Sequence, residues 1–479
     1  MRTVLISLLT MAVLTITNGA LASNTEAMIS YLDSSTDKYG KLALAIWDKA
    51  ELGYLETESS ALLQATLAAE GFSIKSGVAG IPTAFVASYG SGQPVIGMLA
   101  EFDALPGISQ SASPVREIPE GKTTGHACGH HLFGAGSTAA AIAVKQWMEA
   151  NGVAGTLRLY GTPAEEGGSG KVYIARAGLF SDADAILAWH PSDINRASPS
   201  STLANKSAKF RFHGVSSHAA IAPERGRSAL DGVEAMNFMT NLLREHVPQE
   251  TRIHYVITSG GSAPNVVPDF AEVFYYVRHP DAEILKGLWA RVMQTADAAA
   301  LGTGTTVTSE VIHGNHSVLP NETLAKVSHK NLSRVGGVTY DAAERDFAAK
   351  VTESLNLRQD LSGQEQRIEP MVFEQNMGST DVGDVSWLVP TFEMRAATWV
   401  PGTKAHTWQA IAAGGTSIGV KGMMVAAKTL ALTAADLFQQ PETLVAARQE
   451  FEQKRGADFK YEALLGDRSP PLDYRAGVR

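Results

Sequence analysis

The chain has 479 residues, 44% of them hydrophobic and 19% charged, a length and composition that suit an ordinary globular enzyme of two or three domains. Its net charge of −9 argues against nucleic acid or an anionic membrane as partner, since both call for a positive surface. Its single cysteine excludes an intrachain disulfide framework.

The first residues read as an export signal. Arg2 precedes an apolar run over 4–16, too short to span a bilayer and remain there, and Ala20-Leu21-Ala22 supplies a small-x-small cleavage pattern. Residues 1–22 are expected to be removed, giving a periplasmic or secreted protein with no membrane anchor. In that oxidising compartment an unpaired Cys128 needs a reason, and metal ligation supplies one.

A buried strand is predicted over 94–100, ending at Glu101-Phe102-Asp103-Ala104-Leu105-Pro106. Gly125-His126-Ala127-Cys128-Gly129-His130-His131 then precedes an Ala-rich helix over 132–150, stopped by Asn151-Gly152. A strand over 156–160 runs into Thr162-Pro163-Ala164-Glu165-Glu166-Gly167-Gly168, and another over 185–189 ends at His190-Pro191. This alternation predicts an α/β fold, a mixed and largely parallel sheet with helices on both faces. The chemistry-bearing residues fall at strand ends, where open sheets of this kind bind their ligands. Cys, His and Glu there, with His406 in a later Gly- and Thr-rich loop, are ligand types for zinc or a similar divalent ion. Five such donors exceed one tetrahedral ion and point to two ions sharing a ligand. The Glu pair then leaves one carboxylate, Glu165, free to act as a base.

From residue 205 the pattern changes. Strands over 206–213, 251–258, 271–278 and 305–312, with helices over 228–245 and 281–300, give the order βαββαβ of a ferredoxin-like unit. The expected organisation is a catalytic domain over 23–204 and 316–445, interrupted by an inserted domain over 205–315. Helical runs after Asn321 and over 421–438 return to the first domain. The tail, 446–479, is charged and then Pro-rich, and is expected to wrap over the surface.

GHACGHH (125–131), TPAEEGGSGK (162–171), AWHP (188–191), HGVSSHAA (213–220) and GGSAPNVVPDFAEVFYYVRH (260–279) together resemble the two-metal aminoacylase and carboxypeptidase family of metallopeptidases. Within it they look most like the amidohydrolase branch, which holds the auxin-conjugate, hippurate and aminobenzoyl-glutamate hydrolases. GSTDVGD (378–384) and the terminal PPLDYR (470–475) extend the resemblance over nearly the whole mature chain.

The resemblance implies that Cys128 is shared by two divalent ions, zinc or manganese, with His130, Glu166, His190 and His406 completing the set. It makes Glu165 the general base and Asp103 a group that orients a ligand from behind. His218 would polarise the substrate carbonyl from across a homodimer formed by the inserted lid/dimerisation domain, and Asn265 and Arg278 would meet the substrate's carboxylate or amide. Glu101 stands where relatives often have Asp. His131 is read as a polar residue opening its helix rather than as a sixth ligand. Trp387, Phe392 and Trp399 are candidates for an apolar acyl pocket, or for core. The activity implied is hydrolysis of the amide bond of N-acyl or N-aroyl amino acids. A broad dipeptidase or carboxypeptidase is the alternative, and a noncatalytic binding protein would be expected to have lost the base or the ligands.

Overall fold

A computed structural model describes residues 25–476, so the expected export signal lies outside the described residues. Its ten principal strands are, in chain order, β1 (Ser73–Ser76), β2 (Phe85–Ser91), β3 (Val95–Ala100), β4 (Gly155–Gly161), β5 (Ala185–Ser192), β6 (Ala204–His213), β7 (Arg252–Ser259), β8 (Phe270–His279), β9 (Thr306–Asn315) and β10 (Thr391–Ala397). Six of them form one sheet in the order β1-β2-β4-β3-β5-β10. The four central and far strands, β4, β3, β5 and β10, run parallel, while β1 and β2 form an antiparallel edge.

The centre of this sheet is apolar on both faces, as a parallel strand between helical layers must be. All six residues of β3 are buried. The long helix α2 (His130–Asn151) packs on β3, β4 and β5, and helix α1 (Thr36–Lys49) packs against α2. Alanine and glycine let α2 lie close: a Cβ on Gly134 would come within 2.8 Å of the Glu101 carbonyl oxygen, and one on Gly136 within 2.9 Å of Trp189. One helix among the described residues, Ser417–Gln439, is long and apolar enough to cross a membrane, but 83% of that window is buried against protein. It is a core helix, packed on α2.

The second sheet has the order β7-β8-β6-β9, antiparallel throughout, which is the βαββαβ unit expected from the sequence. Its helices α3 (Ala229–Leu243) and α4 (Ala282–Thr303) start at side-chain caps, Ser228 and Asp281 respectively. They close a separate core around Phe210, Phe212, Tyr275 and Val292. Entry and exit are adjacent, because Asn205 on β6 stands opposite Asn315 on β9.

Three features depart from the sequence reading. The strand expected to end before His190 continues through Ser192, because β10 pairs with it along its whole length. The strands β1, β2 and β10 are not legible in the sequence. The tail does more than cover the surface: Leu464 enters the core of the insert and Leu465 that of the main domain.

Candidate metal centre and active site

Cys128 sits in a tight turn closed by the Ala127 and Gly129 N–H groups donating to Gly125 and His126 carbonyls. Gly129 has φ 75, and a Cβ there would meet Pro191 at 2.7 Å, so only glycine lets the turn approach β5 this closely. His130 opens α2 directly behind it. His190 projects from within β5, and His406 adopts φ 63 in the loop after β10, its N–H donating to the Ala127 carbonyl at 2.9 Å.

These turns bring the expected donors together. Cys128 Sγ lies 3.7 Å from His190 Nε2 and 3.7 Å from His406 Nε2, and His406 Nε2 lies 3.3 Å from Glu166 Oε1. Two donor groups result, Cys128 with His130 and His190, and Cys128 with Glu166 and His406, the atoms of each within 4.8 Å of one another. Cys128 belongs to both. A third cluster joins Glu101, His130 and Glu165.

His130 is held from both sides: Asp103 Oδ1 is 2.9 Å from Nδ1, and Glu101 Oε2 is 3.0 Å from Nε2. Asp103 also accepts from the Glu166 N–H at 2.9 Å, so one buried carboxylate orients two of the donors. Burial, then the repulsion of Glu101 and Glu166, pushes the Glu165 carboxyl well up. Burial likewise raises the Cys128 thiol, with Glu166 adding to it. Burial lowers His190 to about 3, keeping its ring neutral and its lone pair available. His406, its side chain 57% exposed, is pushed up by its bond to Glu166.

Beneath the cluster lies an ion network that the sequence did not disclose. Lys171, with no exposed side-chain surface, places Nζ 2.5 Å from Glu101 Oε1 and 2.7 Å from Asp381 Oδ1. Its backbone N–H also donates to Asp381 Oδ2 at 2.8 Å. This network ties the EEGGSGK segment to the GSTDVGD segment.

The donors open onto a cleft of about 360 Å³ whose wall includes Thr380, Glu393, Arg395, Trp399 and Lys404. Trp399 lines the cleft and is at the same time part of the core. Phe392 belongs to the core, and Trp387 donates to the Ser317 carbonyl and packs on Phe459, so neither lines the cleft. His131 neither caps its helix nor joins the donor groups: fully buried, it bonds the Gly414 carbonyl through Nε2 at 3.0 Å. It fastens α2 to a neighbouring helix.

Not every expected residue reaches this cleft within one chain. His218 and Asn265 are exposed neighbours on the inserted domain, joined by the Ala219 N–H donating to the Asn265 carbonyl, and neither lines the cleft. Arg278 is half-buried over the Tyr276 ring at 5.3 Å, its Nε buried without a partner and no ion pair formed among the described residues.

Comparison with known proteins agrees with this architecture. Residues 204–304 match the M20 peptidase dimerisation domain. Over 450 residues the chain is 40% identical to one of the subunits of the p-aminobenzoyl-glutamate hydrolase of Escherichia coli (strain K12), covering 88% of this chain and 93% of that one. It is 30% identical over 438 residues to the Xaa-Arg dipeptidase of Mus musculus, covering 88% and 91%. Among solved structures, an aminobenzoyl-glutamate utilization protein from Klebsiella pneumoniae shares the fold with a TM-score of 0.59 at 18% identity, over 86% of this chain and 98% of that one. A Bacillus subtilis protein described as a dinuclear metal binding peptidase does so with a TM-score of 0.58 at 18% identity, over 85% and 99%. With a matching dimerisation domain and a likeness to curated relatives that runs nearly end to end, the chain belongs to the M20 peptidase family.

Proposed function

We propose that the protein is a metal-dependent amidohydrolase that cleaves the amide bond of N-acyl or N-aroyl amino acids, with aminobenzoyl-glutamate the leading candidate. The observation that carries this reading is the pair of three-donor groups sharing Cys128, with the Glu165 carboxylate beside them at the floor of one cleft.

The donor set fits divalent ions. A tetrahedral ion with ordinary zinc–sulfur and zinc–nitrogen bonds spaces its sulfur and nitrogen ligands about 3.6 Å apart, and both Cys128–His separations are 3.7 Å. Glu166 Oε1 faces another donor of the set, His406 Nε2 at 3.3 Å, a juxtaposition that suits an ion held by both. Ions held there supply Lewis acidity toward a water and the scissile carbonyl. Zinc and manganese both suit these ligands.

Glu165 takes the proton from that water and returns it to the leaving amine. Asp103 keeps His130 in the tautomer that presents Nε2. Arg278, a cation with no carboxylate partner, offers its fork to the free carboxylate of the amino-acid moiety. His218 reaches the site from the partner in a homodimer built through the inserted domain, and Asn265 travels with it. An exported enzyme of this kind would act on extracellular acyl-amino acids.

The mammalian relative, a dipeptidase by name, favours a second reading in which the cleft accepts a free amino terminus. A hydrolysis panel that varies the acyl group and the amino acid independently separates the two. Aminobenzoyl-glutamate and hippurate-type amides cleaved faster than dipeptides support the first reading, and the reverse order establishes the second. Ion content of the purified, metal-supplemented protein should be two per protomer, and one or none refutes the shared-Cys128 assignment.

A further inference from the structure

The motif Pro470-Pro471-Leu472-Asp473-Tyr474-Arg475 has no part in the function proposed above, yet its position is specific. After the helix Pro441–Arg455 the chain returns along the seam between the two domains. Tyr461 donates to Asp384 Oδ1 at 2.8 Å, and the Glu462 carbonyl meets His316 Nε2 at 2.9 Å. Arg468 donates to the Val311 and Ile312 carbonyls of β9, while Arg176 donates to the Gly466 and Arg468 carbonyls at 2.6 and 2.9 Å. The segment ends at the Glu165–Gly168 turn, where Tyr474 Oη and Arg475 Nη2 donate to the Glu166 carbonyl at 3.1 and 2.7 Å.

That turn has one closing hydrogen bond of its own, the Gly168 N–H donating to the Ala164 carbonyl at 3.1 Å, and a strained backbone. Ala164, Gly167 and Ser169 have φ of 57, 87 and 60, and two of these left-handed residues carry a Cβ. Its other backbone groups are gripped from outside. Glu56 Oε1 accepts from the Ala164 N–H at 2.8 Å, Asp103 Oδ2 accepts from the Glu166 N–H at 2.9 Å, and Tyr54 Oη donates to the Gly168 carbonyl at 2.6 Å. The Glu166 carbonyl is gripped as well, and the two donors that reach it both belong to the tail.

We propose that Tyr474 and Arg475 are positioning residues of the active site: by clamping the Glu166 carbonyl they fix the turn, so that the Glu165 carboxylate faces the reacting amide and the Glu166 carboxylate faces His406. The tail is thereby part of the catalytic apparatus. The edge-on contact of Tyr474 with Tyr54, ring centroids 5.5 Å apart, links the tail clamp to the neighbouring grip on Gly168. This inference rests on the roles given above to Glu165 and Glu166.

The test uses full-length protein carrying Tyr474→Phe with Arg475→Ala, Arg475→Lys alone, and a chain ending at Ser469. The double variant should lose roughly ten- to hundredfold in kcat on the best substrate of the panel, because the base is displaced rather than removed, with KM changed little. In metal-free protein, amide exchange should quicken over 163–170 while α2 stays protected and the thermal midpoint holds. Arg475→Lys, which keeps the Tyr474 hydroxyl and a cationic donor beside it, should retain most of the activity, and the truncated chain should behave as the double variant does. Unchanged kcat and exchange in the double variant overturn the proposal. So does a kcat loss accompanied by faster exchange throughout and a fallen midpoint, the result for a purely structural tail. Glu165→Gln run in parallel separates the two readings: if it stays active the base assignment fails, while the exchange measurement still decides the clamp.

Discussion

Replacing Lys171 with methionine probes the buried charge network directly. The lysine has no exposed side-chain surface and holds two carboxylates, Glu101 and Asp381, at 2.5 and 2.7 Å. Burial alone would lower its pKa, but Asp381 and Glu101 override that and raise it, so it carries its charge across the working pH range. Methionine fills much of the same volume, so the perturbation is chiefly electrostatic. Removing one side of a buried pair costs about 3–5 kcal/mol, most of it the penalty of the carboxylate left behind. Two carboxylates are stranded here, but each keeps one partner: Asp381 retains the residue 171 N–H and Glu101 retains His130. The expected loss is therefore about 3 kcal/mol, the lower end of that range. Urea unfolding of the metal-free protein, followed by fluorescence of the buried Trp189 and Trp399 in the main domain, measures it. Adding Asp381→Asn should restore part of the loss by removing one stranded charge. A loss below about 1 kcal/mol, or a double variant less stable than the single one, would refute the reasoning.

Other perturbations test separate parts of the site. Glu165→Gln should keep the ions and the fold while turnover drops by about two to four orders of magnitude, and Glu166→Gln should instead weaken ion retention, both read by kinetics beside metal analysis. Asp384 is pushed up by burial to about 6 from an ordinary 3.8, so its native form holds a proton that the unfolded chain gives up between those values. The stability it contributes is complete below the lower value and lost as pH rises through the higher one. Asp384→Asn removes this titration but also one acceptor for the Tyr461 hydroxyl or the His316 N–H, so its stability relative to the parent should be more favourable at pH 8 than at pH 5; equal differences at both would contradict the assignment. His218→Ala should be inactive alone and partly rescued on mixing with Cys128→Ala, because a mixed dimer rebuilds one site; demonstrably mixed dimers without rescue exclude catalysis in trans.

Much of this was legible because the signals are local. The βαββαβ order of the insert follows from strand alternation and helical spacing, and the strand over 94–100 from an unbroken apolar run. The donor residues declare themselves by type and by position beside predicted strand ends. What stays hidden depends on distant partners. Lys171 reads as an ordinary charge near a helix start, and only the fold places Asp381, 210 residues later, against it. His190 reads as the residue after a strand, because nothing in its own segment announces that β10 will pair past it. Tyr474 and Arg475 lie in a stretch whose composition says surface. The grip they exert falls on a carbonyl about three hundred residues earlier in the chain.

The side-by-side placement of Asn205 and Asn315 has a consequence for the history and the engineering of the molecule. A chain that departs and returns through neighbouring strands leaves its host with two ends already in contact. Bridging them takes only a few residues, and closing so short a loop adds little entropic cost. The host sheet, whose six strands lie wholly outside the 204–315 interval, needs none of that segment for its own pairing. Such a junction allows one module to be exchanged for another without redesigning the body that bears the chemistry. In this chain the tail limits that freedom, since Leu464 and Arg468 anchor it to the guest and Leu465 to the host. A transplanted module would have to bring a matching surface for residues 461–468, which makes that stretch the true boundary between the two parts.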